Sequence, residues 1–126
     1  MVPSPSDLLI VDDDGDLRQS VADLVELDSG RRVLGVGDLE ELIALGQRAL
    51  ACGLIIIDVN LGAGKPSGID VLAWLREHDY RGKTVFLTGH GRTSPQVEQA
   101  YRTEGVPVLS KPIGVDTLLE LVESTP

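Results

Sequence analysis

The chain has 126 residues, 42% of them hydrophobic and 25% charged, the size and balance of one globular domain with a real core. Its net charge of −9, from 20 acidic residues against 11 Lys plus Arg, would repel a phosphate backbone, which argues against direct nucleic-acid binding. No apolar run approaches the roughly 20 residues that a membrane span needs.

Residues Met1 to Asp7 have neither a basic start nor a long apolar stretch, so they read as a short flexible lead-in and not as a secretion signal. A single cysteine, Cys52, leaves no internal disulfide and no cysteine metal cluster; it fits a reducing cytoplasm and reads as a small core hydrophobe. The expected organisation is a lead-in over 1–6, one domain over 7–123 and a tail over 124–126, with no effector domain in this chain.

Apolar runs alternate with helical periodicity along the chain. Leu8 to Val11 form a buried-strand run that stops at three aspartates, and Leu17, Val21, Leu24 and Val25 then recur at helical spacing up to Ser29 and Gly30. Val33, Leu34 and Val36 predict a second strand. Leu39, Leu42, Ile43, Ala49 and Leu50 predict a second helix, weakened in its middle by Gly46.

Leu54 to Ile57 are apolar on both faces, as a central parallel strand must be, and they end on Asp58. After a glycine-rich loop, Ile69, Leu72 and Leu75 mark a third helix, Val85 to Leu87 a fourth strand, and Val97, Ala100 and Tyr101 a fourth helix behind Pro95. Val106, Val108 and Leu109 predict the last strand, and Leu118, Leu119 and Val122 the closing helix. Five strands alternating with five helices predict an α/β doubly wound parallel sheet, which holds its ligands beyond the carboxyl ends of the strands.

That topology brings distant polar residues together. Asp12, Asp13 and Asp14 follow the first strand, Asp58 ends the third, Thr88 ends the fourth and Lys111 ends the fifth. Crowded carboxylates repel unless a cation sits among them, and hard oxygen ligands favour Mg²⁺. A carboxylate beside such an ion can attack phosphorus, while Lys111 and Thr88 can hold the charge that spreads over a transferring phosphoryl group.

The run LLIVDDD from Leu8 to Asp14, the IIID run ending on Asp58, the pair Thr88 and Gly89, and the pair Lys111 and Pro112 resemble response-regulator receiver domains of two-component phosphorelays in order and spacing. The resemblance extends from about Asp7 to Glu123. It implies a (βα)5 flavodoxin-like three-layer sandwich with sheet order 2-1-3-4-5. It also implies Asp58 as phosphoacceptor, with Asp12, Asp13, Asp58 and the backbone carbonyl of Asn60 around Mg²⁺ (or Mn²⁺), Lys111 on the phosphoryl oxygens and Thr88 swinging toward them.

The implied partners are a sensor histidine kinase or histidine phosphotransfer protein as donor and a downstream protein as reader. The chain would be cytoplasmic, with no membrane partner, and a monomer or a phosphorylation-dependent dimer. It would not be an enzyme in its own right but a signalling domain that assists its own phosphorylation and dephosphorylation. Thr88 would bias the loop after the fourth strand and the face made by the fourth helix and fifth strand.

Three features depart from the family pattern. Val108 stands where an aromatic residue often precedes the lysine by three places. The loop from Asp58 to Gly68 looks roughly two residues longer than usual and has Gly62 in place of a proline, which suggests mobility near the acceptor. His90, two places after Thr88, lies where the family tunes dephosphorylation and is expected to titrate near neutral pH.

Plainer readings stand beside these. Asp14 or Asp16 can simply cap the first helix, Glu40 and Glu41 can favour the dipole of the second, and His78 can do the same at a helix end. Trp74 reads as a partly buried aromatic. Rival functions are a receiver within a hybrid kinase or transcription regulator, a Mg²⁺-dependent phosphohydrolase with an aspartyl-phosphate intermediate, and a non-phosphorylated interaction module. The phosphohydrolase reading is opposed by Asn60, where such enzymes usually carry a second aspartate. The module reading is opposed by the intact Asp13, Asp58 and Lys111.

Overall fold

A computed structural model describes residues 5–89 and 94–126. The strands are β1 (Leu8–Val11), β2 (Val33–Val36), β3 (Leu54–Asp58), β4 (Lys83–Thr88) and β5 (Val108–Ser110). All neighbours pair in parallel, in the order β2-β1-β3-β4-β5. The doubly wound sheet expected from the alternation of elements is therefore the fold.

The helices are α1 (Gly15–Ser29), α2 (Leu39–Leu45), α3 (Gln47–Leu50), α4 (Gly68–Glu77), α5 (Pro95–Arg102) and α6 (Val115–Glu123). Side-chain alternation along the strands separates two cores. Leu9, Val11, Ile55, Ile57 and Phe86 face the side covered by α2, α3, α4 and α5. Leu8, Ile10, Leu54, Ile56, Val85 and Leu87 face α1 and α6. Burial on both faces is why β1 and β3 contain nothing but apolar residues before their terminal acids.

Three local expectations change. The second helix is two pieces, because Gly46 adopts φ 55° and ψ −122°, a conformation outside the helix that a side chain would resist. Val106 is buried but precedes β5: Pro107 after it has no N–H, and pairing with β4 begins at Val108. Lys111 consequently sits one residue beyond the fifth strand, though its amide still donates to the Thr88 carbonyl at 2.8 Å. Tyr101, counted in the apolar stripe of α5, is 62% exposed. Among the described residues no helix is long and apolar enough to cross a membrane.

Candidate functional site

The three aspartates after β1 divide their work. Asp14 caps α1, its Oδ1 accepting from the amides of Asp16 at 3.0 Å and Leu17 at 3.2 Å. Asp12 is fully buried: its amide continues the ladder to the Val36 carbonyl, its Oδ1 accepts from the Asp14 amide at 2.9 Å, and its carbonyl takes a 2.7 Å bond from Arg18 Nη1. Asp13, between them, is exposed and lines a pocket of about 720 Å³ at the carboxyl end of the sheet. The capping reading thus holds for Asp14, while Asp13 faces the pocket.

Asp58, 4% exposed, closes β3 and meets this group from the next strand. Its Oδ1 accepts from the Asn60 amide at 3.3 Å and its Oδ2 from Lys111 Nζ at 2.9 Å. Lys111 Nζ also lies 2.8 Å from Asp12 Oδ2, so one ammonium bridges two buried carboxylates. That second contact is one of charge without hydrogen-bond alignment: among the described residues Asp12 Oδ2 receives no hydrogen bond.

Burial pushes the Asp58 carboxyl up to about 6; the hydrogen bond from Lys111 pulls it down, and the Asp12 charge pushes it up again. Burial by itself would lower the pKa of Lys111, but the Asp12 and Asp58 carboxylates around its ammonium outweigh that and hold it above the ordinary lysine value. One lysine only partly neutralises this arrangement.

Carboxylate oxygens of Asp12, Asp13 and Asp58 come within 4.8 Å of one another, close enough to share a cation. Three carboxylates offering hard oxygen ligands, with one lysine to balance them among the described residues, fit Mg²⁺. Asn60 and Thr88 line the same pocket, with Asp58 and Lys111. The site residues expected from the sequence, Asp12, Asp13, Asp58, Asn60, Thr88 and Lys111, therefore gather at one end of the sheet. His90 lies outside the described residues, and Val108 is half-buried against the α5 side of the core.

Residues 8–123 match the family model described as the response regulator receiver domain. The chain belongs to that family. Among solved structures it resembles the receiver domain of NtrX from Brucella abortus, with 27% identity and a TM-score of 0.74, covering 93% of this chain and 95% of that one. It is also similar to the chemotaxis protein CheY4 from Vibrio cholerae, with 26% identity and a TM-score of 0.75 over 98% and 100% of the two chains. Against a longer NtrX chain it covers 27% of the length, at 26% identity and a TM-score of 0.76. No curated protein matches it in sequence.

Two features of this receiver domain escape a reading of the sequence. Gly68 starts α4 directly against the end of β3: a Cβ there would collide with the Asp58 carbonyl and stand 2.9 Å from both Ile57 Cγ2 and Val59 Cα. Ser67 and Asp70 close the helix start in a reciprocal capping box, with Ile69 N donating to Ser67 Oγ at 3.2 Å and Ser67 N to Asp70 Oδ2 at 2.8 Å. Nothing local signalled how closely the glycine approaches the acceptor strand. The second is an ion pair between Lys65 in the loop after β3 and Asp38 at the start of α2, 27 residues apart, with Nζ 2.9 Å from Oδ2.

Proposed function

We propose that this receiver domain accepts a phosphoryl group on Asp58 from a phosphohistidine of a kinase or phosphotransfer protein, with Mg²⁺ held by Asp12, Asp13, Asp58 and the Asn60 backbone, and signals by protein contact. The observation that carries the reading is the clamping of Asp58 by Lys111, whose one ammonium also faces the buried Asp12 carboxylate at 2.8 Å.

In the transfer, a carboxylate oxygen of Asp58 forms the new P–O bond while the P–N bond of the phosphohistidine breaks and its electron pair stays on the imidazole. Bound Mg²⁺ would neutralise charge on the phosphoryl oxygens. Lys111 is already within 3 Å of Asp58 Oδ2 and needs little displacement to reach an oxygen of the group that Asp58 acquires. Thr88, which ends β4 and lines the pocket, would donate to another oxygen, and that bond would bias the face beyond β4. The pairing of β4 with β5 supports passage of that bias to the face around Val108.

Incubating the protein with Mg²⁺ and acetyl phosphate should add one phosphoryl group, read by intact-mass spectrometry, and Asp58→Asn should add none. An unlabelled wild type, or equal labelling of the variant, would overturn the reading.

A further inference from the structure

The pocket has two walls from different parts of the chain. One is the turn after β1, with Asp12 and Asp13; the other is the segment after β3, with Asp58, Asn60 and the glycine-rich loop. β1 and β3 pair up to Val11 and Ile57, but beyond those residues the sheet no longer joins the walls. Val59 and Leu61 anchor the start of the loop in the core, but residues 62–67 bury no side chain and need another tie to stay over the site.

Lys65 provides that tie from the loop side. Gly62 and Gly64 take φ of 115° and 74°, turning the chain back so that the Lys65 amide donates to the Gly62 carbonyl at 3.2 Å. Gly62 lies between the stem of Lys65 and the acidic cluster, since a Cβ on it would be 3.8 Å from Lys65 Cγ and 4.0 Å from Asp13 Oδ2. Its amide donates to Asn60 Oδ1 at 3.2 Å, so the turn also orients the Asn60 side chain.

Asp38 anchors the other end. Its Oδ1 caps α2 through the Glu41 amide at 2.9 Å, leaving Oδ2 for Lys65 Nζ at 2.9 Å. The residue is only 8% exposed and follows β2, whose Val36 carbonyl binds the Asp12 amide at 3.0 Å. Lys65, acting chiefly through this hydrogen bond, holds the Asp38 carboxyl below its usual range, with the Glu41 amide next.

We propose that Lys65 is a positioning residue: paired with Asp38, it straps the glycine-rich loop to the β1–β2 half of the domain and so sets the spacing of the two walls that bind Mg²⁺ and shield the acyl phosphate. The inference rests on the metal-assisted phosphorylation proposed above. It also explains how a loop carrying Gly62 and Gly64 can still form a defined wall.

Charge alone makes the opposite prediction. Lys65 is a cation near a cation site, so removing it should tighten Mg²⁺ binding. The strap predicts that Lys65→Met weakens Mg²⁺ binding about threefold by calorimetry, the scale of an exposed ion pair, and that Lys65→Arg restores it. In the metal-free protein, solvent exchange of the Gly62 and Lys65 amides by NMR should speed up severalfold in Lys65→Met and equally in Asp38→Asn, which keeps the helix cap. The double variant should go no further than either single one.

Phosphoryl loss from labelled Asp58 should be about threefold faster in Lys65→Met, and the difference should shrink in 1 M salt. Unchanged or tighter Mg²⁺ binding in Lys65→Met, or unchanged amide exchange, would overturn the strap. A wild type that binds Mg²⁺ but stays unlabelled would overturn the phosphorylation reading instead, leaving the exchange measurements to decide the strap.

Discussion

The two ends of the sheet use buried polar groups in opposite ways. At the amino end each is satisfied by a neutral partner: Tyr80 Oη donates to the Cys52 carbonyl at 2.7 Å, Arg31 Nη1 to the Val122 carbonyl at 2.9 Å, and the Gly53 amide to the Asp7 carbonyl at 2.9 Å. Arg31 also places a cation at the C-terminal end of α6, where the helix dipole favours one. At the carboxyl end two buried carboxylates share one lysine, and among the described residues Asp12 Oδ2 receives no aligned hydrogen bond. The first end stabilises the fold, and the second holds charge in an unfavourable arrangement that a cation or phosphoryl group can relieve. Substitutions at the two ends should therefore differ in sign as well as in size.

The largest effect should come where the charged end is nonetheless tightly packed. Gly68→Ala inserts a methyl against the Asp58 carbonyl, Ile57 and Val59, backbone and core atoms that cannot swing aside. We expect a loss of roughly 3 kcal/mol in denaturant unfolding, the upper part of the range for overpacking, together with slower labelling of Asp58. A loss of stability with labelling unchanged would mean that α4 yields and the acceptor does not move.

Next comes a gain. The Asp58 carboxyl is raised to about 6 from its ordinary 3.8, so between those values the folded state binds the proton more tightly than the unfolded one. Stability of the metal-free protein should then fall as pH rises from about 4 to about 6 and stay level above that. Asp58→Asn carries no charge and should escape the penalty, being more stable than wild type by up to about 3 kcal/mol at pH 7 and indistinguishable from it below about pH 4. Thermal unfolding in a chelator across this range reads the difference directly. Mg²⁺ should narrow it at pH 7, since the ion adds positive charge that one lysine shared between Asp12 and Asp58 does not supply in full.

The contrast between the ends also explains what the sequence made legible. β1 and β3 could be read because burial on both faces demands unbroken apolar runs, and the acids closing them had to meet because parallel strands end on the same side. Lys111 and Thr88 followed from the same topology. Gly68 and the Lys65–Asp38 pair were not legible, since a close backbone approach and an ion pair across 27 residues depend on how loops are placed rather than on any periodicity. Gly46 was readable as a weak point but not as a break, which needed its ψ of −122°.

The smallest effect tests the quiet end. Tyr80 lies over Gly82, where a Cβ would collide with its hydroxyl, and its ring contacts the core on the α4 side. Tyr80→Phe keeps that ring packed and deletes one bond, leaving the Cys52 carbonyl without its 2.7 Å donor. The expected cost is about 1 kcal/mol, or a fall of about 4 °C in Tm. Strand β3 runs from Leu54 beside this bond to Asp58, a separation of roughly 13 Å at strand rise, so labelling of Asp58 and Mg²⁺ affinity should be those of wild type. A labelling rate that changed with Tyr80 would show that the sheet transmits strain from one end to the other. The satisfied end would then be setting the tension at the charged one, and its role would extend beyond stability.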